Sequence, residues 1–381
     1  MNIGVIKQTR NDERRVPMVP AGVHLLTQRG HVIYIEHDAG LAAGFDDTEY
    51  REAGGNVVYS RAEAIGRSAL VLGVAPFQLE DAEMFVSGQT VMSFGHLSAS
   101  TFGALRRMVD KNITAIAYEL IENDDKRRPI VEVMGEVAGP ITMTLAARFL
   151  ESHHGGRGVL LSGLPGIPPA HVVVIGGGAV GMAAARAALG MGAHVTLFDS
   201  NPDKLRRALE RLGGHLTTLL SYRYNLERVL PTADVVIGAV WLHGQKPPVL
   251  ITTDIVRKMK SRSVIIDCSI DQGGICATGR PTTLSDPVYV AEGVVHCCVP
   301  NLPSAVARTS SHALANALFP YVRRFAEGGI DALLSEQARF AEGVYLREGR
   351  AAHPVVAELL NQKAPLGANS DPSQADGGKT R

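Results

Sequence analysis

The chain of 381 residues is 45% hydrophobic and 20% charged, so it is long enough for about two domains with buried cores. Lysine plus arginine and aspartate plus glutamate number 38 each, and this balance argues against nucleic acid or anionic lipid as a partner. The opening residues, MNIGVIKQTR, are charged at Lys7, and no run approaches about 20 uninterrupted apolar residues. We therefore expect a cytoplasmic protein that acts on a small molecule and does not enter a membrane.

Short apolar runs alternate with segments of helical periodicity through the first 125 residues or so. The runs typical of strands are MNIGVI, HVIYIEH, ALVLGV and TVMSFGH, and the helical segments include AGVHLLTQRG and ASTFGALRRMVDK. Such alternation predicts a parallel sheet with crossover helices.

A second series begins near Val172. Its strands are VVVIG, HVTLFD, VVIGAV and SVIIDC, separated by helical stretches such as AVGMAAARAALGMG and NPDKLRRALERLG. From about Arg308 the pattern turns helical, and we expect HALANALFPYVRRFAEG to pack back onto the first domain. The predicted organisation is α/β, with residues 1–128 plus 308–362 in one domain and residues 129–307 in a second.

The stretch VVVIGGGAVG carries the clearest motif. Gly176, Gly178 and Gly181 form G-x-G-x-x-G where a predicted strand passes into a helix, which is the context of a dinucleotide-binding turn. The first glycine permits the tight turn, the second lets the backbone approach a pyrophosphate, and the third allows close packing of helix and strand. A turn that only connects two elements is the less favoured alternative.

An acidic residue stands at the end of the next predicted strand. Asp199 follows Gly181 by 18 residues, where a carboxylate binds the ribose hydroxyls of adenosine and repels a 2′-phosphate. This favours NAD over NADP as the cofactor, although Asp199 alone could also be a solvated charge at a strand end. The further candidate cofactor-binding residues are Ala179, Val180, Ser200, Met134, Val240 and Ile270.

A nicotinamide cofactor implies a second, substrate-binding group of side chains. Arg15 lies just beyond the first strand and could hold a carboxylate with two parallel hydrogen bonds, although spacing alone favours an ordinary surface arginine. His96 follows another strand and could exchange a proton near neutral pH, while a core or capping histidine is equally compatible. Asp271 follows a later strand, on the side where α/β sheets bind ligands, and Asp267 within that strand is more typical of a structural residue.

Two other features carry less information. Cys268, Cys276, Cys297 and Cys298 are too few for a disulfide scaffold and lack zinc spacing, so we interpret them as buried free thiols and predict no metal site. A metal or redox role for them is the less favoured alternative.

Residues 363–381 mix Gly, Ser, Asp, Pro and Lys without periodicity, which predicts a disordered tail.

Several longer motifs, taken together, resemble one protein family. They are IKQTRNDERRVPMVPAGV, GHVIYIEHDAG, GHLSA, TAIAYE, EVAG, HGGRGVLLSGLPGIPPAHVVVIGGGAVG, IDQGG, RPTTLSDP, VPNLPSAVARTSS and NALFPYV. On these motifs the chain is similar, nearly end to end, to the family of alanine dehydrogenases and the first domain of proton-pumping transhydrogenases. HGGRGVLLSG and IDQGG with RPTT indicate the dehydrogenase branch.

The resemblance implies functional roles that the spacing of residues in the sequence could not assign. In similar enzymes the arginine matching Arg15 holds the substrate carboxylate, the histidine matching His96 is an acid or base, and the aspartate matching Asp271 helps place water and ammonia. The asparagine matching Asn301 lies near the nicotinamide and the substrate. The implied fold is two Rossmann-like domains with parallel sheets and an interdomain cleft, with residues 1–128 plus 308–362 as the substrate or catalytic domain and residues 129–307 as the NAD-binding domain. The implied assembly is a hexamer.

Three positions depart from the family pattern. Ala75, in LGVAPFQ, stands where the family has a catalytic lysine that contacts the substrate; Gly135 replaces a serine near the cofactor; and Phe94 replaces a tyrosine. Loss of the ammonium removes a charge-assisted hydrogen bond that is worth about 2 to 4 kcal/mol, or about 10² to 10³ in rate. The exchange also opens space for a substrate side chain larger than methyl.

These observations leave three hypotheses. The first is an NAD-dependent L-amino-acid dehydrogenase that converts an amino acid to a 2-oxo acid and ammonia, or the reverse, with a substrate that need not be alanine. The alternative is a diverged enzyme that keeps NAD bound, oxidises a modified amino acid transiently, eliminates or exchanges a group, and returns the hydride. The third is a protein that binds the cofactor without catalysis or acts as a transhydrogenase-like component.

Overall fold

The computed structural model describes residues 1–10, 12–96, 102–213, 215–242 and 246–361. These residues form two α/β units. The described parts of Met1–Arg10, Val16–Ile130 and Ala315–Arg381 make the first unit, and those of Asn11–Arg15 and Val131–Leu314 make the second. The predicted disordered tail, residues 363–381, lies outside the described residues.

The first unit is built on an eight-stranded sheet in the order β15-β14-β6-β5-β4-β1-β2-β3. The pairs from β3 through β1 to β6 are parallel, whereas β14 and β15 are antiparallel. The strands are β1 Asn2–Val5, β2 Val32–Glu36, β3 Asn56–Val58, β4 Leu70–Leu72, β5 Thr90–Ser93, β6 Thr114–Ala117, β14 Val344–Arg347 and β15 Arg350–Ala351.

The second unit contains a seven-stranded sheet in the order β12-β13-β11-β10-β7-β8-β9, in which the β12 pairing is antiparallel and the others are parallel. The strands are β7 His171–Ile175, β8 His194–Asp199, β9 Leu216–Leu220, β10 Val235–Gly238, β11 Val264–Asp267, β12 Val288–Ala291 and β13 Val294–Cys297.

Without its antiparallel edge strands, each sheet contains six parallel strands. When these six are numbered 1 to 6 in chain order, their order across each sheet is 3-2-1-4-5-6, which is the doubly wound order. This confirms the predicted α/β class with Rossmann-like units, but both sheets are mixed rather than wholly parallel. The extra strands come from two hairpins that the sequence patterns did not indicate. Each turns at a Glu-Gly pair, Glu292-Gly293 and Glu348-Gly349, in which both residues have positive φ.

Helices cover the sheets and supply the rest of each core. They are α1 Pro20–Thr27, α2 Asp47–Glu52, α3 Arg61–Gly66, α4 Leu79–Met84, α5 Phe102–Asp110, α6 Pro129–Leu150, α7 Ala179–Gly190, α8 Pro202–Leu212, α9 Arg223–Val229, α10 Thr253–Lys258, α11 Ala307–Glu336 and α12 Pro354–Asn361. α11 is interrupted at Gly329, whose φ is 71°. The central strands β4, β5, β10 and β11 are buried throughout, as runs of aliphatic residues predict for parallel strands covered on both faces.

Helix α6 is, among the described residues, the one that is long and apolar enough to cross a membrane by length and composition. Half of its apolar window is buried within the protein, and Met143, Ala146, Phe149 and Leu150 belong to the core of the second unit. These contacts are typical of a core helix.

Candidate active site

The glycine turn of the second unit joins β7 to α7. Gly176 has a φ of 110°, and a Cβ at this position would come 2.3 Å from the carbonyl oxygen of Ala239, which follows β10. A Cβ at Gly181 would come 1.7 Å from the carbonyl oxygen of Gly176. Both positions therefore require glycine. Because β7 and β10 are neighbours at the point where the strand order reverses, the turn lies where doubly wound sheets bind ligands.

The remaining glycine of the motif leaves room for a ligand. A Cβ at Gly178 would meet no atom within 4 Å, and Gly178 is the N-cap of the twelve-residue helix α7. The first backbone N–H groups of a helix have no intrahelical acceptor, and they favour a negative charge in front of them. The turn therefore fits the pyrophosphate of a dinucleotide, as the sequence motif predicts.

The Asp199 carboxylate connects the end of β8 to this turn. One of its oxygens accepts the backbone N–H of Gly177 at 2.7 Å, and the other accepts that of Asn201 at 2.8 Å. Lys204 places its Nζ 3.5 Å from the same carboxylate, which is only 7% exposed. A carboxylate has about four acceptor sites, so these contacts do not exhaust its capacity.

Helix α6 packs closely against α7 through small residues. A Cβ at Gly135 would come 2.8 Å from the Cβ of Ala179, and a Cβ at Gly139 would come 2.5 Å from the Cβ of Ala183. Both separations are shorter than real Cβ contacts allow. Gly135 is therefore a packing requirement of this chain, because a side chain such as serine would force α6 away from the first turn of α7.

Arg15 is not the surface arginine that spacing alone favoured. It is 5% exposed, and Glu13 binds it through two parallel hydrogen bonds, from Nε at 2.9 Å and from Nη2 at 2.7 Å. Its Nη1 lies 3.3 Å from Sδ of Met134. Burial raises the pKa of Glu13, but its hydrogen bonds and attraction to Arg15 outweigh that effect and lower the pKa.

The short segment that carries Arg15 belongs to the second unit and is bound to the rest of it at several points. Ser304 Oγ accepts the backbone N–H of Arg14 at 2.9 Å and donates to the carbonyl of Asp12. Asn301 donates from Nδ2 to Glu13 at 2.7 Å. Arg15, Asn301 and Met134, three of the predicted site residues, are therefore brought together. Glu13 and Ser304, which organise them, were not predicted from the sequence.

Asp271 is exposed and lies on a short turn, Ile270–Gln272, that follows β11 and in which Ile270 is buried. Asp267 holds the flanking backbone by accepting the N–H groups of Ser269 at 3.0 Å and Ile275 at 2.8 Å, and its burial raises its pKa. This supports the structural interpretation of Asp267. The backbone N–H of Val240 donates to Ser269 Oγ at 3.1 Å, which joins the end of β10 to this turn.

In the first unit, His96 follows β5 and has a φ of 36°, in the left-handed region. Glu119 accepts its backbone N–H at 2.7 Å and that of Gly95 at 3.0 Å. The imidazole is exposed and stacks on the ring of Phe94, with centroids 5.8 Å apart. Phe94 in turn meets Tyr118 edge to face, and the buried hydroxyl of Tyr118 has no hydrogen-bond partner within the described chain.

Ala75 follows β4, the neighbour of β1 at the point where the strand order of the first sheet reverses. Its backbone N–H donates to Oε1 of Gln8, which follows β1, at 2.9 Å. Ala75, where the family resemblance predicts a lysine, therefore lies at the ligand-binding edge of this sheet, but it offers a methyl group and a neutral carboxamide neighbour.

The cysteines are free thiols in the described structure, and three of the four are buried. Burial raises the pKa of Cys297 to about 11 and that of Cys298 to about 12. Such thiols are poor nucleophiles and poor metal ligands at neutral pH.

The two doubly wound sheets, the glycine turn and the buried acidic residue at the next strand end define a dinucleotide-dependent oxidoreductase. Residues 4–138 match the N-terminal domain of the alanine dehydrogenase/PNT family, and residues 142–354 match its C-terminal domain. The chain belongs to this family, and it is an NAD-dependent amino-acid oxidoreductase of the alanine dehydrogenase type.

Individual relatives agree with this assignment. The chain is 39% identical over 361 residues to an alanine dehydrogenase from Staphylococcus haemolyticus, covering 94% of this chain and 96% of that protein. An alanine dehydrogenase from Halomonas elongata is 40% identical over 360 residues, covering 94% and 97%. A solved L-alanine dehydrogenase structure superposes with a TM-score of 0.90 at 38% identity, covering 94% of this chain and 99% of that one.

Proposed function

We propose that the chain binds NAD on the glycine turn and uses it to oxidise an L-amino acid to a 2-oxo acid and ammonia, or to catalyse the reverse reaction. The observation that carries the proposal is the pairing of Gly176 and Gly181, which admit no side chain, with the carboxylate of Asp199 bound to the N–H of Gly177. The carboxylate would bind the adenosine ribose and repel a 2′-phosphate, which favours NAD over NADP. Ala179, Val180, Ser200, Met134, Val240 and Ile270 would complete the cofactor site.

The bound nicotinamide supplies hydride transfer. Arg15, held in a fixed orientation by Glu13, would bind the substrate carboxylate. His96 would move a proton to or from the substrate, with its backbone fixed by Glu119, and Asp271 would orient the water or ammonia. Asn301 would place its carboxamide beside the substrate and the nicotinamide.

The substrate side chain is proposed to be larger than that of alanine. Ala75 provides no ammonium at the edge of the first sheet, and Gln8, which accepts its backbone N–H, is uncharged. The space that a lysine side chain would fill remains for the substrate. A side chain with a few more carbon atoms would gain about 0.8 kcal/mol per methylene group buried there.

A panel of L-amino acids tests this proposal. With NAD at alkaline pH, we expect NADH absorbance to rise with at least one of them, and kcat/KM for a larger apolar amino acid to exceed that for alanine. The reverse direction is assayed with the matching 2-oxo acids, ammonia and NADH. No change in absorbance in either direction across the panel would contradict the proposal.

The absence of a lysine at Ala75 also favours a second candidate, in which a modified amino acid is oxidised transiently, loses or exchanges a group, and regains the hydride. This reaction gives product without net NADH. Substrate labelled with deuterium at the α-carbon distinguishes the two candidates. Label retained at the α-carbon of the product supports internal return of the hydride, and label recovered on NADH contradicts it.

We also propose that the active form is a cytoplasmic homo-oligomer, a hexamer by family resemblance, whose partner is a small amino or 2-oxo acid. Light scattering coupled to size-exclusion chromatography measures the mass. A mass close to that of the 40.6 kDa monomer would contradict the oligomeric state.

A further inference from the structure

We propose that Glu13 is a positioning residue for substrate binding, because one carboxylate fixes both Arg15 and Asn301 before the substrate arrives. This inference rests on the proposed function, in which Arg15 binds the substrate carboxylate. Glu13 is not expected to touch the substrate.

The contact between Glu13 and Arg15 selects one edge of the guanidinium. Oε1 accepts from Nε and Oε2 accepts from Nη2, so Glu13 occupies the side formed by these two nitrogens. A guanidinium has a second two-donor edge, formed by Nη1 and the outer hydrogen of Nη2, which Glu13 does not occupy. Nη1 contacts Sδ of Met134, a weak acceptor. A ligand carboxylate is a far stronger acceptor for the same edge.

Glu13 also links Arg15 to Asn301. Its Oε2 lies 2.7 Å from Nη2 of Arg15 and 2.7 Å from Nδ2 of Asn301. Asn301 has a φ of 59°, in the left-handed region, so its backbone is fixed in an uncommon conformation. A change in the position of the Glu13 carboxylate would therefore move the carboxamide and the guanidinium together.

Preorganisation is the physical benefit of this arrangement. An arginine side chain has many rotamers, and ordering them when a ligand binds weakens affinity. Arg15 and Glu13 are 5% and 8% exposed, and Oε1 of Glu13 also accepts the backbone N–H of Arg15 at 3.0 Å. The substrate therefore meets a guanidinium whose direction is already set.

Chemical rescue of an arginine deletion tests whether Glu13 builds the guanidinium site. Arg15→Ala leaves the buried Glu13 carboxylate without its cation, and guanidinium chloride at low millimolar concentration should occupy the vacated position. We expect it to raise the thermal midpoint of Arg15→Ala by a few degrees, since a ligand that binds only the native state stabilises it. We also expect it to restore turnover about tenfold, in line with one charge-assisted hydrogen-bond pair.

Two double variants show whether the response to guanidinium depends on Glu13. Arg15→Ala with Glu13→Gln should show neither effect of guanidinium. Arg15→Ala with Asp234→Asn removes another buried carboxylate of the second unit, one that binds Lys260, and should respond as Arg15→Ala does. Equal rescue with and without Glu13 would overturn the proposal, as would rescue by the same concentration of sodium chloride.

Single variants then separate positioning from folding. Glu13→Gln should raise KM for the 2-oxo acid about tenfold or more while changing the NAD dissociation constant less than about twofold, and Glu13→Asp should recover part of the loss. An unchanged KM in Glu13→Gln would overturn the proposal. If the wild-type chain turns over no amino or 2-oxo acid, the proposed function fails, whereas the thermal response to guanidinium still decides the role of Glu13.

Discussion

Glu119 accepts the backbone N–H of His96 at 2.7 Å, across 23 residues of sequence. The same carboxylate accepts the N–H of Gly95 with both oxygens at 3.0 Å. A left-handed backbone conformation costs a residue with a side chain about 1 kcal/mol or more, and it persists only where the surroundings enforce it. Glu119 provides that constraint, so it controls the direction in which the imidazole of His96 points after the end of β5.

Replacing Glu119 by glutamine tests this control. A carboxamide can accept on one atom only, and its NH₂ group would face a backbone donor, so the turn at His96 should relax. We expect Glu119→Gln to lower kcat about tenfold, equivalent to about 1.4 kcal/mol, and to change its pH profile. The measurement is kcat as a function of pH.

Glu122→Gln is the matched control. Glu122 binds the side chains of Arg128 and Arg339 rather than the backbone at His96. Its replacement should lower the thermal midpoint but leave the pH profile of kcat unchanged. The same altered profile in both variants would mean that general loosening of the first unit, and not the bond to His96, governs the reaction.

The Asp199 carboxylate should set the choice between NAD and NADP. Asp199→Asn keeps an acceptor for one backbone N–H but removes the negative charge, and Lys204, 3.5 Å away, then loses its ion pair with this side chain. We expect the dissociation constant of NAD to rise about tenfold and that of NADP to fall, because the repulsion of the 2′-phosphate is lost. Isothermal titration calorimetry measures both. Asp203→Asn, at an exposed position on α8, should change neither value, and an unaltered NAD to NADP ratio in Asp199→Asn would contradict the assigned role.

Two buried tyrosines should respond to the same substitution with opposite signs. The hydroxyl of Tyr118 is buried and has no hydrogen-bond partner among the residues that the structure describes, whereas that of Tyr50 donates to the carbonyl of Met18 at 2.9 Å, and both side chains are 0% exposed. We expect Tyr118→Phe to raise the free energy of unfolding by about 1 kcal/mol, and Tyr50→Phe to lower it by a similar amount. Urea unfolding of the two variants is the measurement. A loss of stability in Tyr118→Phe would show that its hydroxyl does form a hydrogen bond in solution.

Local features of this protein could be predicted from the sequence because their causes are local. Gly176 and Gly181 are glycines since any Cβ there would overlap a neighbouring carbonyl, and such a requirement leaves a direct mark on the sequence. The buried strands also leave a local mark, since they are runs of aliphatic residues, and these runs predicted the α/β class. The hairpins at Glu292-Gly293 and Glu348-Gly349 were not predicted, because a Glu-Gly pair is a weaker turn signal than Asn-Gly or Asp-Gly.

The organisation of the site could not be predicted in this way. Glu13 and Asn301 are 288 residues apart, and Arg14 and Ser304 are 290 apart, so no spacing rule connects them. Arg15 looked like a surface residue because its sequence neighbours are charged, and only the fold shows that Glu13 neutralises it in a buried position. Resemblance to known enzymes named Arg15 and Asn301 but not the carboxylate that joins them.

A buried histidine should make the stability of the protein depend on pH. His296 is 0% exposed; its Nδ1–H donates to the carbonyl of Val294, and its Nε2 accepts from the hydroxyl of Thr278. Burial lowers its pKa below the ordinary 6.5. The unfolded chain then binds the proton more readily, so this contribution to stability is present above pH 6.5 and is lost as the pH falls towards the folded-state pKa.

Urea unfolding between about pH 8 and about pH 5 measures this dependence. We expect His296→Gln to be less stable than the parent at the upper end, because it disturbs the bond to Thr278, and to lose less stability on acidification. His153→Gln, at an exposed position, should follow the parent curve. Parallel curves for the parent and His296→Gln would show that this histidine does not titrate between the two states.

Restoring a cation at the edge of the first sheet tests how much of the alanine dehydrogenase site remains. Ala75 is half-buried and follows β4, and its backbone is already held by Gln8, so a lysine there would begin from a fixed position. If the ammonium is the one missing group, Ala75→Lys should raise kcat/KM for alanine by about 10² to 10³, the value of a charge-assisted bond in a desolvated site. The measurement is NADH formation from alanine, compared with a larger amino acid whose turnover should fall as the space is filled.

Ala75→Met fills similar volume without a charge, so it should reduce turnover of the larger substrate and leave alanine oxidation unimproved. Equal rates for alanine in the parent and Ala75→Lys would show that the pocket differs from the family at more positions than this one.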